Sequence, residues 1–326
     1  MKIYRSLDEF EPLENAIVTI GTFDGVHVGH QKILKKLVDC AKETGGETVL
    51  LTFFPHPRLI INPNDDSLRL INDIEEKTHQ LALCGLDHLI ITPFTRDFSN
   101  LSPEEYIRNV LVDKLGTKTI IIGYDHHFGK DRKGTIKDLV SFSEIFDFEV
   151  KEIAKQDIED VAVSSTIVRE ALIKGDIDIA NKYLGYPFEL TGTVEKGDQI
   201  GRQIGFPTAN LHVHESHKLI PAYGIYAVEV DIYPNVPQIV SGEYEETAIL
   251  NKAIGMCYIG TRPTVDGMNR KIEVNVLDFH EDLYDRTVRI KFKKFIRSDE
   301  RFETLAELQQ QIKVDEQEIR AYFNQK

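Results

Sequence analysis

Apolar positions in the first half of the chain gather into short continuous runs separated by amphipathic stretches. Ala16-Ile-Val-Thr-Ile20, Thr48-Val-Leu-Leu-Thr-Phe-Phe54, residues 88–91, Thr119-Ile-Ile-Ile122 and residues 148–153 predict strands buried on both faces. Helices fill the gaps between them. Ile33, Leu34, Leu37, Val38 and Ala41 fall on one face at helical spacing. Ser102-Pro-Glu-Glu105 supplies a capping residue, proline at the first helical position and glutamate at the third. A further helix opens at Val163-Ser-Ser-Thr-Ile-Val-Arg169, with Val168, Ala171 and Leu172 as its apolar face, and stops at Gly175. Strands alternating with helices up to about Leu184 predict an α/β domain whose parallel sheet is covered on both faces.

The rhythm changes after Asn181-Lys-Tyr-Leu-Gly-Tyr-Pro187. Leu184-Gly185 closes a short helix and Pro187 bars its continuation, so the boundary falls there. Beyond it, residues 188–194, 206–213, 224–232, 248–260, 271–279 and 287–296 read as strands joined by Gly, Pro and Asn turns. That pattern fits a small all-β barrel or sandwich. Helical periodicity returns only at residues 303–323. The chain of 326 residues is therefore expected to form two domains, 1–184 and 185–326.

Composition narrows the partners. No apolar run is long enough to span a bilayer, and Met1-Lys-Ile-Tyr-Arg-Ser-Leu-Asp-Glu9 lacks the apolar core of a signal peptide. Cys40, Cys84 and Cys257 are odd in number and form no Cys-x-x-Cys unit, which argues against a disulfide framework or zinc ribbon. The cytoplasm is the expected compartment, with no membrane partner. A net charge of −14 argues against duplex nucleic acid, which needs a basic face. It leaves phosphorylated small molecules open. Self-association, as a homo-oligomer, is also left open.

Three segments carry candidate chemistry in the first half. Gly21-Thr-Phe-Asp-Gly-Val-His-Val-Gly-His30 joins the first strand to the following helix. The first amides of a helix lack intrahelical partners and the helix dipole adds positive charge, so His27 and His30, one turn apart, can both face one phosphate. Gly29 would let the backbone approach closely. Pro55-His-Pro-Arg58 follows the second strand and Gly123-Tyr-Asp-His-His-Phe-Gly129 the fourth. All three therefore lie at the carboxyl end of the sheet, where open α/β sheets bind ligands. Ser164, Ser165, Thr166 and Arg169 form another helix start, either a phosphate grip or a serine cap beside a solvated arginine.

In the second half, Gly201-Arg-Gln-Ile-Gly-Phe-Pro-Thr-Ala-Asn210 places a hydroxyl and a carboxamide two apart on an extended segment. Thr208 and Asn210 can share a Mg²⁺ ion with nucleotide phosphates, or simply enter a strand. Glu273, in Lys271-Ile-Glu-Val-Asn-Val-Leu-Asp-Phe279, points away from Ile272, Val274 and Val276. It is either a solvated carboxylate or a base in a barrel mouth. His212, His214 and His217 lack a suitable cysteine or carboxylate nearby, because Glu215 points the other way; a polar strand end is preferred to zinc there.

These motifs resemble a known family. The N-terminal segments, with Pro55-His-Pro57 and Ser164-Ser-Thr-Ile-Val-Arg169, resemble the FMN adenylyltransferase module of bacterial bifunctional FAD synthetases, within the nucleotidyltransferases bearing His-x-Gly-His. Gly201 to Asn210, Ile259-Gly-Thr-Arg-Pro-Thr264, Glu273 to Phe279 and Ile296-Arg-Ser-Asp-Glu-Arg-Phe302 resemble the riboflavin kinase module of the same enzymes. The resemblance spans nearly the whole chain in the family's domain order. Tyr186, the pair His126-His127 and Asn275 depart from residues common in the family.

The resemblance implies a Rossmann-like nucleotidyltransferase domain followed by a Greek-key barrel with terminal helices. It implies that riboflavin and ATP give FMN and ADP, and that FMN and ATP then give FAD and pyrophosphate, with Mg²⁺ as cofactor. Glu273 would be the kinase base, with Thr208 and Asn210 on the metal; His27 and His30 would be the adenylylation pair. Nucleotide or phosphate contacts would fall to Gly21, Phe23, Asp24, Gly29, Asp125, Ser164, Ser165, Thr166 and Arg169 in the first module. In the second they would fall to Gly192, Gly197 and Gly205. The flavin side would involve His56, Pro57, Arg58 and Arg262. The rivals are another nucleotidyl transferase, a chain with one silent module, and a flavin-binding sensor.

Overall fold

The computed structural model describes the chain except residues 66, 124–125, 154–162, 198–200, 202–204, 235–240, 265–266 and 325–326, together with the side chains of 262–264 and 267–269. Two compact units are present. Unit 1 comprises Met1–Ser165 with Gln238–Glu246; unit 2 comprises Thr166–Pro237 with Thr247–Lys326.

The strands of unit 1 are β1 (Lys2–Tyr4), β2 (Ala16–Ile20), β3 (Glu47–Phe53), β4 (His88–Thr92), β5 (Thr117–Gly123) and β6 (Glu149–Ile153). Those of unit 2 are β7 (Glu189–Glu195), β8 (Ala209–His212), β9 (Gly224–Tyr233), β11 (Asn251–Thr264), β12 (Gly267–Val276) and β13 (Thr287–Arg297), with β10 (Gly242–Glu243) returning to unit 1. The helices are α1 (Val28–Thr44), α2 (Pro57–Ile61), α3 (Ile74–Leu83), α4 (Arg96–Ser99), α5 (Pro103–Glu105), α6 (Ile136–Phe146), α7 (Ser165–Lys174), α8 (Ile177–Leu184) and α9 (Leu305–Asn324).

Unit 1 is built on a seven-stranded sheet of order β10-β1-β4-β3-β2-β5-β6, parallel except where β10 pairs β1. Alternate residues feed opposite faces. Ile17, Leu50, Leu89 and Ile121 meet Leu34, Leu37, Ile74 and Leu81 of α1 and α3. Val18, Val49, Leu51 and Ile120 meet Tyr106, Ile107, Val110 and Leu139 on the other side. This is the two-sided burial that continuous apolar strands require. The capping box at Ser102 and Glu105 forms, but the helix it opens continues from Tyr106 to Lys114 as a π-helix, which the sequence pattern does not announce. From β2 the chain moves through β3 to β4 on one side, then crosses to β5 on the other. The order reverses between β2 and β5, so the crevice beyond their carboxyl ends is the expected ligand position.

Unit 2 is a closed barrel of order β11-β12-β8-β7-β13-β9 with antiparallel neighbours throughout. Closure leaves no free sheet edge. Leu190, Tyr226, Val228, Val230, Ile290 and Phe292 are among its buried residues. Helix α9 docks through Ile319 onto Ile225, Ala227, Met256 and Leu277. The Arg297 guanidinium adds a two-point grip on the buried Asp315 carboxylate of α9, at 2.9 and 2.8 Å.

Leu34 is wholly buried beneath the sheet of unit 1. Leu34→Ala is expected to destabilise that unit by about 3 kcal/mol, read as a lower denaturant midpoint. A change under about 1 kcal/mol would mean that α1 is not packed as described.

Candidate active sites

The chain leaves β2 through Gly21 and Thr22 and winds into a turn in which Phe23, Gly25 and Val26 all have positive φ (46°, 86° and 36°). For a β-branched residue such as Val26 that is a strained conformation. Phe23 and Val26 are buried against the cluster beneath α1, which holds them there. At Gly25 a Cβ would stand 2.9 Å from Ile71 Cδ1. Asp24 pins the turn: its carboxylate accepts from the backbone N–H of Ile71 at 2.9 Å, and its carbonyl accepts from the Ser165 hydroxyl at 2.8 Å.

The turn delivers His27 to the N-cap of α1. Its Nδ1 accepts the backbone N–H of His30 at 3.3 Å. An imidazole that accepts at Nδ1 and is neutral carries its proton on Nε2, which makes Nε2 the donor nitrogen of this ring. The two rings stack with centroids 3.7 Å apart and planes 13° from parallel, and Phe23 lies against His30 at 4.8 Å. Burial, and then the charges of His27 and Lys77, hold the His30 pKa well below the usual histidine value. Its Nδ1 is buried and has no hydrogen-bond partner among the described residues. Gly29 is buried in the first turn between them. A histidine pair at a helix N-terminus, with His30 Nδ1 buried and unsatisfied among the described residues, suits a phosphate.

Other segments at this end of the sheet are engaged locally. His56 caps α2, accepting the Arg58 N–H at Nδ1 (3.1 Å), and Pro57 is the first residue of that helix. Arg58 grips Asp65 at 2.6 Å and Ser67 at 3.1 Å; hydrogen bonds from Ser67 and Arg58 pull the Asp65 carboxyl down to about 2. Asp125 lies outside the described residues, while His126 stacks on Phe128 at 6.0 Å. Ser164 is exposed, and Ser165 opens α7 with Thr166 next to it and Arg169 one turn on.

In unit 2, register sets a row across three strands: Tyr258 of β11 lies opposite Glu273 of β12, which lies opposite Asn210 of β8. Residues paired in this way share a face. The Thr208 hydroxyl donates to Glu273 Oε2 at 3.4 Å, and Lys271 Nζ stands 3.8 Å from Oε1. Thr208 thus meets the carboxylate of the residue that Asn210 pairs across the strands. Asn275, buried, donates from Nδ2 to the Pro207 carbonyl at 2.7 Å and holds the segment entering β8. A Cβ at Gly197 would collide with the Asn210 carboxamide, so glycine is needed for that approach. Gly192 is explained by its strand, since a Cβ there would meet the His212 carbonyl. Gly205 takes φ +84° with open space around it, and the Arg262 side chain lies outside the described residues. His214 bonds Thr193 at 2.8 Å, His212 faces Glu195 and His217 faces Glu215. No group of three His, Cys, Asp or Glu suited to a metal occurs among the described residues.

Comparison with known proteins finds two family models along the chain. The FAD synthetase family model matches residues 9–167, and the riboflavin kinase family model matches residues 184–323. A bifunctional riboflavin kinase/FMN adenylyltransferase of Listeria monocytogenes is 36% identical over 95% of this chain and 93% of its own. The Escherichia coli K12 protein of the same description is 34% identical over 99% and 98%. The chain belongs to the bifunctional riboflavin kinase/FMN adenylyltransferase family. A crystal structure described as a macrolide-efflux protein from Streptococcus pneumoniae shares the fold, with a TM-score of 0.82 and 29% identity over 98% of both chains. Among the described residues here, no helix is long and apolar enough to cross a membrane.

Two features at these family sites escape the sequence reading. Lys77 is buried beside the histidine turn, and Tyr258 donates to Asp299 at 3.2 Å in the row of Glu273. A signal for Lys77 existed: Ile74 and Leu81, at i−3 and i+4, put it on the apolar stripe of α3.

His27→Ala should cost unit 1 about 1 kcal/mol by removing the N-cap acceptor, whereas His27→Asn, which keeps one, should restore most of it. Equal denaturant midpoints for His27→Ala and wild type would contradict the cap.

Proposed function

We propose that the chain phosphorylates riboflavin with ATP to FMN and ADP, and then adenylylates FMN with a second ATP to FAD and pyrophosphate. Residues 185–326 are assigned the first step and 1–184 the second. The observation that carries this reading is the presence, in one chain of this family, of two dissimilar sites. One is a neutral histidine pair at a helix N-terminus; the other is a carboxylate in line with a hydroxyl and a carboxamide.

The two steps need different help. A flavin hydroxyl holds its proton tightly at neutral pH, so its attack on the γ-phosphorus gains from a positioned base. Glu273 takes that proton, with Thr208 and Lys271 orienting its carboxylate. Thr208 and Asn210 offer hard oxygen donors, and Gly197 leaves room beside the carboxamide; this donor set fits Mg²⁺ shared with phosphates and water. When bound, Mg²⁺ supplies positive charge at the transferring phosphoryl.

The second step needs no base, because the FMN phosphate is already an anion. It attacks the α-phosphorus of ATP and pyrophosphate leaves. The difficulty is to bring two anions together. His27 donates from Nε2, His30 presents a neutral ring, and the first amides of α1 add their dipoles, so charge developing on the α-phosphate meets fixed donors. The hydroxyl and amides of Ser164 and Ser165 at the start of α7 are assigned to the departing pyrophosphate. The free cysteines Cys40, Cys84 and Cys257 are in keeping with a cytoplasmic enzyme.

Incubating the protein with riboflavin, ATP and Mg²⁺ should yield FMN first and FAD later by chromatography. Flavin binding without product would sink the reading. Glu273→Ala should slow FMN formation on the order of 10²–10⁴-fold and leave FAD formation from supplied FMN intact. His30→Ala should do the reverse, with a loss on the order of 10²–10³. Kinase turnover retained in Glu273→Ala would reassign the base.

A further inference from the structure

Lys77 is a buried cation with no carboxylate in salt-bridge contact among the described residues. It is 8% exposed, and its ammonium donates to two neutral acceptors, the Thr22 carbonyl at 3.2 Å and the Thr52 hydroxyl at 3.3 Å. Withdrawing a charge from water is offset only by opposite charge or a full set of dipoles. Burial therefore pushes this lysine down to about 8, with the Asp24 carboxylate partly opposing the shift. Its helix neighbours Ile74 and Leu81 are buried, so an apolar side chain would serve α3 as well. A charge kept where packing does not ask for it points to the site it faces.

What it faces is the turn that aims the histidines. Thr22 lies between the end of β2 and the strained residues Phe23 to Val26, and its carbonyl also receives the Thr52 hydroxyl of β3 at 3.3 Å. Lys77 thus ties two central strands to the start of that turn. Resting on the adenylyltransferase reading above, we propose that Lys77 is a positioning residue of that site, holding through Thr22 and Thr52 the turn that presents His27 and His30 to phosphate.

The charge has a second effect. Positive charge at Lys77 disfavours a proton on His30. The groups facing the ammonium are Asp24 from the turn and His30 from α1, with His27 stacked on His30. Among the described residues β3 contributes Thr52, and on α3 itself Asp73 and Glu76 form the capping box. Because the folded pKa is lowered, the cation is present below about pH 8 and lost above it. The limb belongs in kcat/KM, which reports the free enzyme; bound phosphates would move it upward in kcat.

The test uses the full chain, with FMN, ATP and Mg²⁺ for FAD formation and riboflavin, ATP and Mg²⁺ for FMN formation, in wild type and Lys77→Met. Wild type should lose kcat/KM for FAD formation as pH rises through about 8, with no such limb in FMN formation. Lys77→Met should lack the limb, form FAD roughly tenfold or more slowly, and keep its FMN KM within about twofold and its kinase rate unchanged. A Lys77→Met variant with the wild-type rate, or with the limb still present, overturns the proposal. So does loss of the kinase rate or of the folded circular dichroism signal, which would make Lys77 a folding residue. A wild type that forms no FAD overturns the adenylyltransferase reading itself and the proposal with it.

Discussion

A helix that starts at the carboxyl end of a parallel strand begins with amides that no earlier turn can satisfy. In unit 1 one of those amides, that of His30, is met by an imidazole nitrogen, His27 Nδ1, at 3.3 Å. That hydrogen bond caps α1, fixes which nitrogen of His27 carries the proton, and sets the two rings face to face. Most of the anion chemistry proposed for unit 1 follows from it. The strained turn, the Asp24 carboxylate clamped on Ile71 and the buried Lys77 all hold the donor pair in place before any ligand arrives. Preorganised donors need no rearrangement when charge develops, which is why such sites accelerate reactions between anions.

The barrel solves a different problem with different means. Its row of Tyr258, Glu273 and Asn210 depends on register, since a slip of one residue in β12 would turn the carboxylate to the opposite face. Closure of the six strands protects that register, and Asn275 fastens the segment that brings Thr208 in. A proton acceptor placed beside a hydroxyl and a carboxamide suits a nucleophile that must lose a proton. A pair of neutral donors suits one that has none to lose. On the proposed function, each unit carries the chemistry its half of the reaction sequence requires.

Much of this was legible from residue patterns, and for definite reasons. Continuous apolar runs located β2 to β5 within a residue or two, because burial on both faces leaves no polar alternation to confuse them, whereas β6, expected to be buried on both faces, is an edge strand with Glu149 and Glu152 exposed. Gly185 and the Ser102 box marked helix ends because each has a backbone or capping duty that few residues perform. β1 was missed because three residues are too few to show a period; it exists because β4 on one side and β10 on the other give it partners. The π-helix from Tyr106 to Lys114 left no mark in the spacing. At the sites, the residue types were readable but their duties were not. His27 as an acceptor, Arg58 held by Asp65, and Gly192 making room for a carbonyl depend on contacts between distant segments.

The protonation of the histidine pair is the most direct test of this arrangement. Nitrogen-15 NMR of the imidazole rings at neutral pH should show His27 unprotonated at Nδ1 and protonated at Nε2, and His30 as a neutral ring that gains a proton only well below pH 6.5. A proton on His27 Nδ1, or a cationic His30 at neutral pH, would contradict the account, because the cap and the neutral donor pair could not then exist together.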